Sequence, residues 1–174
     1  INFNYVINCG GYVDHINKKR TYNAHFIGCK NLYNIFSKKK IETFVQIGSS
    51  SEYGSIKSPQ DEHRQGKAVK IYGKSKLKAT KFLISSQKRT NFPFVVLRFY
   101  QLYGPYQDNN RFISFVINSC LRDKKFPCSE GKQFRDFLYI NDAVQAVKMS
   151  LGNKKAYGKI INIGYGKGIQ LKKI

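Results

Sequence analysis

The 174-residue chain is 41% apolar and 14% aromatic, enough to bury one core and too much for a disordered polymer. Its net charge of +21 raises nucleic acid as a partner, but the lysines run along the whole length and form no single tail or patch. A solvated basic surface is therefore expected, and no run approaches the roughly 18 apolar residues of a membrane span.

The opening INFNYVIN has no charged region, apolar stretch or cleavage site of a signal peptide, and no initiator Met. It reads as a strand entered midway in a fragment of a longer chain. Residues 3–9 (FNYVINC) are apolar and β-branched-rich and end at Gly10-Gly11, the pattern of a buried parallel strand entering a loop. A helix over 15–38 follows, with Phe26, Leu32, Ile35 and Phe36 on one face. Residues 41–47 (IETFVQI) form a second strand, closed by Gly48 and a serine cluster. A polar loop with Pro59 and Gly66 leads to a helix over 68–88, then to the most strand-like run, FPFVVLRF at 92–99. This alternation gives right-handed βαβ crossovers, hence an α/β fold with a parallel sheet covered on both faces. After Gly104-Pro105 the pattern loosens into a helix near 110–122, a strand near 134–140, a helix near 142–151 and a strand near 159–163. These are expected to form a smaller substrate-side subdomain. Cys9, Cys29, Cys120 and Cys128 make no C-x-x-C pair and have no His at zinc spacing, so reduced thiols of a cytoplasmic protein and no metal site are expected.

Ligands of open α/β sheets sit beyond the carboxyl ends of the strands. Cys9-Gly10-Gly11, Ser49-Ser50-Ser51 and the loop after Phe99 all fall there. Gly10-Gly11 lets a backbone approach a ligand closely, or serves only as a tight turn. The sharper pattern is IYGKSK, which puts Tyr72 and Lys76 one helical turn apart on one face. A phenol is a poor base near neutral pH, and a neighbouring cation is expected to lower the pKa of Tyr72 and ready it for proton transfer. Y-x-x-x-K recurs by chance in a lysine-rich chain and is weak alone. Ser49 offers a hydroxyl for a reacting substrate oxygen, although a serine cluster can equally be plain loop.

In order along the chain, several motifs resemble those of the extended short-chain dehydrogenase/reductases that act on nucleotide sugars, the NAD-dependent epimerase/dehydratase family. VINCGG (6–11) resembles the strand end that lies against the cofactor, and HFIGCKNL (25–32) the N-V-x-G-T-x-N-L helix. GSSSEYG (48–54) resembles S-S-x-x-V-Y-G, Pro59 and Glu62 match P-x-x-E, and YGKSK (72–76) matches Y-x-x-S-K. LRFYQLYGP (97–105), GKQFRDFLYINDAV (131–144) and INIGYG (161–166) resemble L-R-x-x-N-x-Y-G-P, G-x-x-x-R-D-F-I-Y-V-x-D and N-I-G-x-G.

The resemblance implies a Rossmann-like doubly wound sheet, with residues 1–104 part of an NAD(P)-binding domain that lacks its first strands. Residues 105–174 are then mainly the substrate-binding subdomain, interleaved with the last strands of the sheet and incomplete at its end. It implies catalysis by Ser49, Tyr72 and Lys76, with Tyr72 exchanging the sugar proton and Lys76 holding the nicotinamide ribose. Cys9, Gly10, Gly11, His25 and Phe99 are implied to line NAD or NADP together with Tyr72 and Lys76. Gln101 and Arg135 are implied to hold the substrate diphosphate, Asn110 and Arg111 to lie near the nucleotide base, and Ser49 to touch the sugar. An ion pair with Asp136 or Asp142 is the structural alternative for Arg135. A nucleotide-diphosphate sugar as substrate and a homodimer are also implied, with neither membrane nor nucleic acid as partner.

Three features depart from the family pattern. The glycine-rich G-x-x-G-x-x-G turn and the residue that chooses NAD or NADP are absent from this chain. His25 stands where the family usually has Asn. Ser50 and Ser51 replace the Asp-Glu that 4,6-dehydratases carry after the catalytic hydroxyl, and Glu52 is one residue out of register. The expected activity is that of an epimerase acting at carbon 4 of the hexose. A 4-keto-sugar reductase or a 4,6-dehydratase is the alternative within the family, and a non-catalytic binding module the alternative outside it.

Overall fold

The computed structural model describes residues 2–12 and 16–174. Four parallel strands, β1 (Tyr5–Asn8), β2 (Thr43–Ser49), β3 (Phe94–Phe99) and a later strand, β6 (Ile160–Ile163), form one sheet in the order β1-β2-β3-β6. The central strands are apolar on both faces. Phe44, Phe94 and Val96 turn to one side, where they pack with Phe26, Cys29, Tyr33, Ala79 and Leu83. Val45, Val95, Leu97 and Phe99 turn to the other, against Leu138, Ala143 and Ala156. Strand periodicity with both faces covered is what makes β2 and β3 read as nearly continuous hydrophobic runs. Each fully buried Phe or Leu contributes about 1.5–3 kcal/mol.

The helix expected over 15–38 is built in three pieces: α1 (Lys18–Tyr22), a π-helical turn (Asn23–Ile27) and α2 (Gly28–Phe36). Its expected first residue, His15, lies outside the described residues. Asn17 caps α1, its side chain accepting the Arg20 N–H at 3.0 Å. The crossover from β2 to β3 is α3 (Ile71–Thr90), which ends where Asn91 adopts a left-handed conformation (φ 51) and returns its N–H to the Gln87 carbonyl. The strand expected at 92–99 begins at Phe94, after the N–H-less Pro93. Of β1, expected as buried, Asn8 is buried while Tyr5 and Ile7 are 41% and 42% exposed, and among the described residues the strand pairs with β2 alone.

Past Tyr100 the chain leaves the large sheet for a small one of β4 (Gln101–Tyr103), β5 (Phe134–Tyr139) and β7 (Gly168–Gln170). β5 pairs parallel to β4 and antiparallel to β7. Two helices, α4 (Phe112–Leu121) and α5 (Ile140–Ser150), complete this part, and β6 returns to the large sheet beside β3. The three-residue strands β4 and β7 were not expected, since elements this short carry no readable periodicity. Among the described residues, no helix is long and apolar enough to cross a membrane.

Candidate active site

A cleft of about 1210 Å³ opens where β1, β2 and β3 end, and it runs on toward β4 and β5. In the β2–β3 register Ser49 stands opposite Phe99, so both strands finish at the same level. Ser49 then caps the short 3-10 turn Ser50–Glu52. Its Oγ accepts the Ser51 N–H at 3.2 Å, and its own N–H donates to Glu52 Oε1 at 3.0 Å. This reciprocal capping box fixes the serine hydroxyl at the rim. The first turn of α3 presses on the same loop. A Cβ on Gly73 would lie 2.4 Å from the Ser51 carbonyl oxygen, so only glycine lets the helix come this close. Tyr72 and Lys76 leave the first two turns of α3 into the cleft.

Ser49 and Tyr72 face the same cleft, and the Ser49 hydroxyl favours the ionised form of the phenol. The buried Lys76 ammonium donates to the Ile47 carbonyl oxygen at 2.7 Å and lies 5.9 Å from the centre of the Tyr72 ring. Burial lowers the pKa of Lys76, an effect the Glu52 carboxylate opposes. The expectation that a cation would leave Tyr72 with a depressed pKa is corrected here. Burial raises the Tyr72 pKa above 10.0, the Ser49 hydroxyl pulls it down, Glu52 adds to the rise and Arg111 opposes it. Desolvation of the phenolate outweighs the favourable contacts because the ring lies inside the cleft wall.

Cys9, Gly10, Gly11, His25 and Phe99 line the same cleft. Asn8 organises the loop that carries the first three: its Nδ2 donates to Gln46 Oε1 at 2.8 Å, and its Oδ1 accepts the Gly10 N–H at 3.1 Å. The π-helical turn brings His25 inward, edge-on to Tyr72 with ring centres 4.9 Å apart. His25 Nε2 lies 3.3–3.4 Å from the main-chain N and O of Tyr12. A Cβ on Gly11 would stand 2.7 Å from the His25 ring, so the loop and the histidine fit only because Gly11 has none.

Gln101, Arg111 and Arg135 line the cleft as well, whereas Asn110 lies exposed in the turn before α4 and is not among the lining residues. The structural alternative for Arg135 is not realised. Its guanidinium donates to the Phe134 carbonyl oxygen at 2.7 Å, and among the described residues it makes no ion pair. Asp136 instead accepts the N–H groups of Tyr165 and Gly166, both at 2.8 Å. Lys18, Lys70 and Gln107 also line the cleft and were missed in the sequence. In a chain this rich in lysine, nothing local marks Lys18 or Lys70 off from the rest.

Residues 1–164 match the model of the NAD dependent epimerase/dehydratase family. Over 145 residues the chain is 32% identical to YtcB of Bacillus subtilis, described as an uncharacterized UDP-glucose epimerase, a match covering 82% of this chain and 46% of that protein. It is 33% identical over 128 residues to the dTDP-D-glucose 4,6-dehydratase of Homo sapiens, covering 72% of this chain and 36% of that enzyme. The chain therefore spans less than half the length of either relative. Among solved structures, the UDP-glucuronic acid 4-epimerase of Bacillus cereus, in complex with UDP-glucuronic acid and NAD, superposes with a TM-score of 0.90 at 24% identity. That match covers 98% of this chain and 56% of the epimerase. The UDP-N-acetylglucosamine 4-epimerase of Methanobrevibacter ruminantium M1, in complex with UDP-N-acetylmuramic acid, gives 0.91 at 22% identity, over 98% of this chain and 57% of that one. At these identities the likeness bears on the fold, a Rossmann-like α/β arrangement.

Proposed function

The chain belongs to the NAD-dependent epimerase/dehydratase family, and from that premise we propose that it supplies the proton-transfer site of an NAD(P)-dependent epimerase acting at carbon 4 of a nucleotide-diphosphate hexose. The observation that carries this reading is the convergence of Ser49, Tyr72 and Lys76 in one cleft, with the Lys76 ammonium 5.9 Å from the centre of the Tyr72 ring. Tyr72, as phenolate, takes the proton of the carbon-4 hydroxyl at its phenolic oxygen, and the phenol so formed returns that proton to the same sugar oxygen in the second step. Ser49 holds the same sugar oxygen in line, and Lys76 stands ready for the ribose of the cofactor.

The residues present fit the reactive end of a nicotinamide cofactor. Gly11 offers bare backbone where a Cβ would collide with His25, and Tyr72 and Lys76 line the same cleft with a hydroxyl and a cation. When bound, NAD(P) supplies the hydride acceptor and donor for carbon 4. Cys9, Gly10, Gly11, His25 and Phe99 line its place, while Gln101 and Arg135 take the diphosphate through charge-assisted hydrogen bonds, with Arg111 near the nucleotide base. The same resemblance extends the proposal to a cytoplasmic homodimer in which residues 1–104 belong mainly to the cofactor domain and 105–174 to the substrate side.

Elimination of water needs an acid and a base beyond Tyr72. Here Ser50 and Ser51 occupy the positions of the dehydratase Asp-Glu, and Glu52 is buried on Arg98. Among the described residues no carboxylate lines the cleft, which favours an epimerase over a dehydratase. In the complete protein, Tyr72→Phe is expected to cut turnover by roughly 10²–10⁴-fold while nucleotide-sugar binding, measured by calorimetry, persists. Undiminished turnover would sink the reading, and strict dependence on added reduced cofactor would move it to a reductase.

A further inference from the structure

Glu52 is fully buried and takes donors from three separate elements. Its Oε1 accepts the Ser49 N–H at 3.0 Å. Its Oε2 accepts Thr80 Oγ1 of α3 at 2.8 Å and Arg98 Nε of β3 at 3.0 Å, with Arg98 Nη2 also at 3.0 Å. Thr80 lies one helical turn beyond Lys76, whose ammonium grips the Ile47 carbonyl two residues before Ser49. The end of β2 is thus tied to α3 at two points, one on each side of the serine hydroxyl's root. Arg98 stands opposite Gly48 in the β2–β3 register, and its guanidinium lies 4.6 Å from the centre of the Tyr53 ring. Tyr53 in turn donates to Asn162 Oδ1 of β6 at 2.8 Å.

Stability alone is a poor reason for such an arrangement. Desolvating a carboxylate and a guanidinium cancels much of their attraction, and apolar side chains of similar volume often serve a core as well or better. Arg98 Nη1 is buried and makes no hydrogen bond among the described residues. What the ion pair supplies that apolar packing does not is direction, because each oxygen of the carboxylate names its donors.

We propose that Glu52 is a positioning residue: its carboxylate holds the main chain at Ser49 in fixed register with α3, so that the Ser49 and Tyr72 hydroxyls meet. This rests on the proposed roles of Ser49 and Tyr72 in proton transfer. Arg98 balances the charge, and Thr80 is the link to the helix.

The test uses the complete protein and three variants, with kcat, KM for the nucleotide sugar and urea unfolding measured for each. Glu52→Gln alone leaves Arg98 uncompensated and can fail to fold. The double variant Glu52→Leu/Arg98→Met replaces the pair by apolar side chains, and Thr80→Val deletes one hydrogen bond at constant volume. The expected result is that the double variant recovers wild-type stability while kcat stays at least tenfold down with KM within about twofold. Thr80→Val is expected to lower kcat about threefold or more, again without moving KM. Wild-type kcat in a folded double variant, or in Thr80→Val, overturns the positioning role. The underlying reading fails separately, through a fully active Tyr72→Phe.

Discussion

The wall of the cleft that carries Ser49, Tyr72 and Lys76 is mounted on buried structure, whereas Gln101, Arg111 and Arg135 stand on exposed structure. All six residues of β3 are buried; of the six in β5 only Leu138 is. The serine turn is cross-braced by Glu52, Thr80 and Arg98, yet Phe134, Tyr165 and Leu121 on the other side are 63%, 67% and 80% exposed. Proton transfer needs hydroxyls held to within fractions of an ångström, while a flexible anion such as a diphosphate is gripped well enough by long charged side chains at a solvated rim. The braced wall should accordingly fail by losing fold, and the open wall by losing ligand.

The largest effect is expected at Arg98. Changing Arg98→Met alone strands the Glu52 carboxylate in the core and should cost about 3–5 kcal/mol in urea unfolding. A loss under about 1 kcal/mol would mean that Glu52 finds water or another donor and that the wall is looser than its hydrogen bonds suggest. Next come paired truncations. Leu83→Ala, in the core beneath α3, should cost about 2–5 kcal/mol, whereas Leu121→Ala on the open side should fall within about 0.5 kcal/mol of the parent. Equal costs would erase the contrast between the walls.

On the open wall the signature is reversed. Arg135→Gln should leave unfolding unchanged and weaken nucleotide-sugar binding in the complete protein by about 10- to 100-fold, the worth of one charge-assisted contact. Calorimetry checks the affinity, and unchanged binding would remove Arg135 from the diphosphate site.

The division was only half legible in the sequence. The strands β2 and β3 and the helix α3 could be read because their apolar periods are long, and Ser49, Tyr72 and Lys76 because they lie within motifs in one order. The brace behind them was not read. Its trace was nonetheless present: an arginine inside FPFVVLRF, a strand buried on both faces, requires a buried acid. Glu52, out of register with the dehydratase pattern, is that acid. The sequence also suggested a Tyr72 with a depressed pKa, because adjacency to Lys76 is visible in one dimension and burial is not. β4 and β7 stayed hidden for a different reason: three residues of strand owe their shape to their neighbours in the sheet.

The smallest expected effect concerns Lys76 itself. Burial lowers its pKa below the usual 10.5, with Glu52 opposing the shift. Between the folded and unfolded values the unfolded chain binds more protons, so this group makes stability rise with pH across that window. Below the window, where both states are protonated, the cost of burying the ammonium is carried in full. Tyr72 works the other way. Its pKa is raised above 10.0, so stability is lost as pH climbs past the unfolded value. Comparing Lys76→Met/Tyr72→Phe with Tyr72→Phe removes that opposing contribution. The stability difference between these two proteins should be most favourable to the lysine-free one near pH 7. It should then shrink toward pH 10.5, by at most about 1.4 kcal/mol per pH unit for one proton. Thermal unfolding across this range reads the slope. A difference independent of pH would show that the ammonium of Lys76 is as well solvated in the fold as in water, and that this side of the cleft is as open as the one facing it.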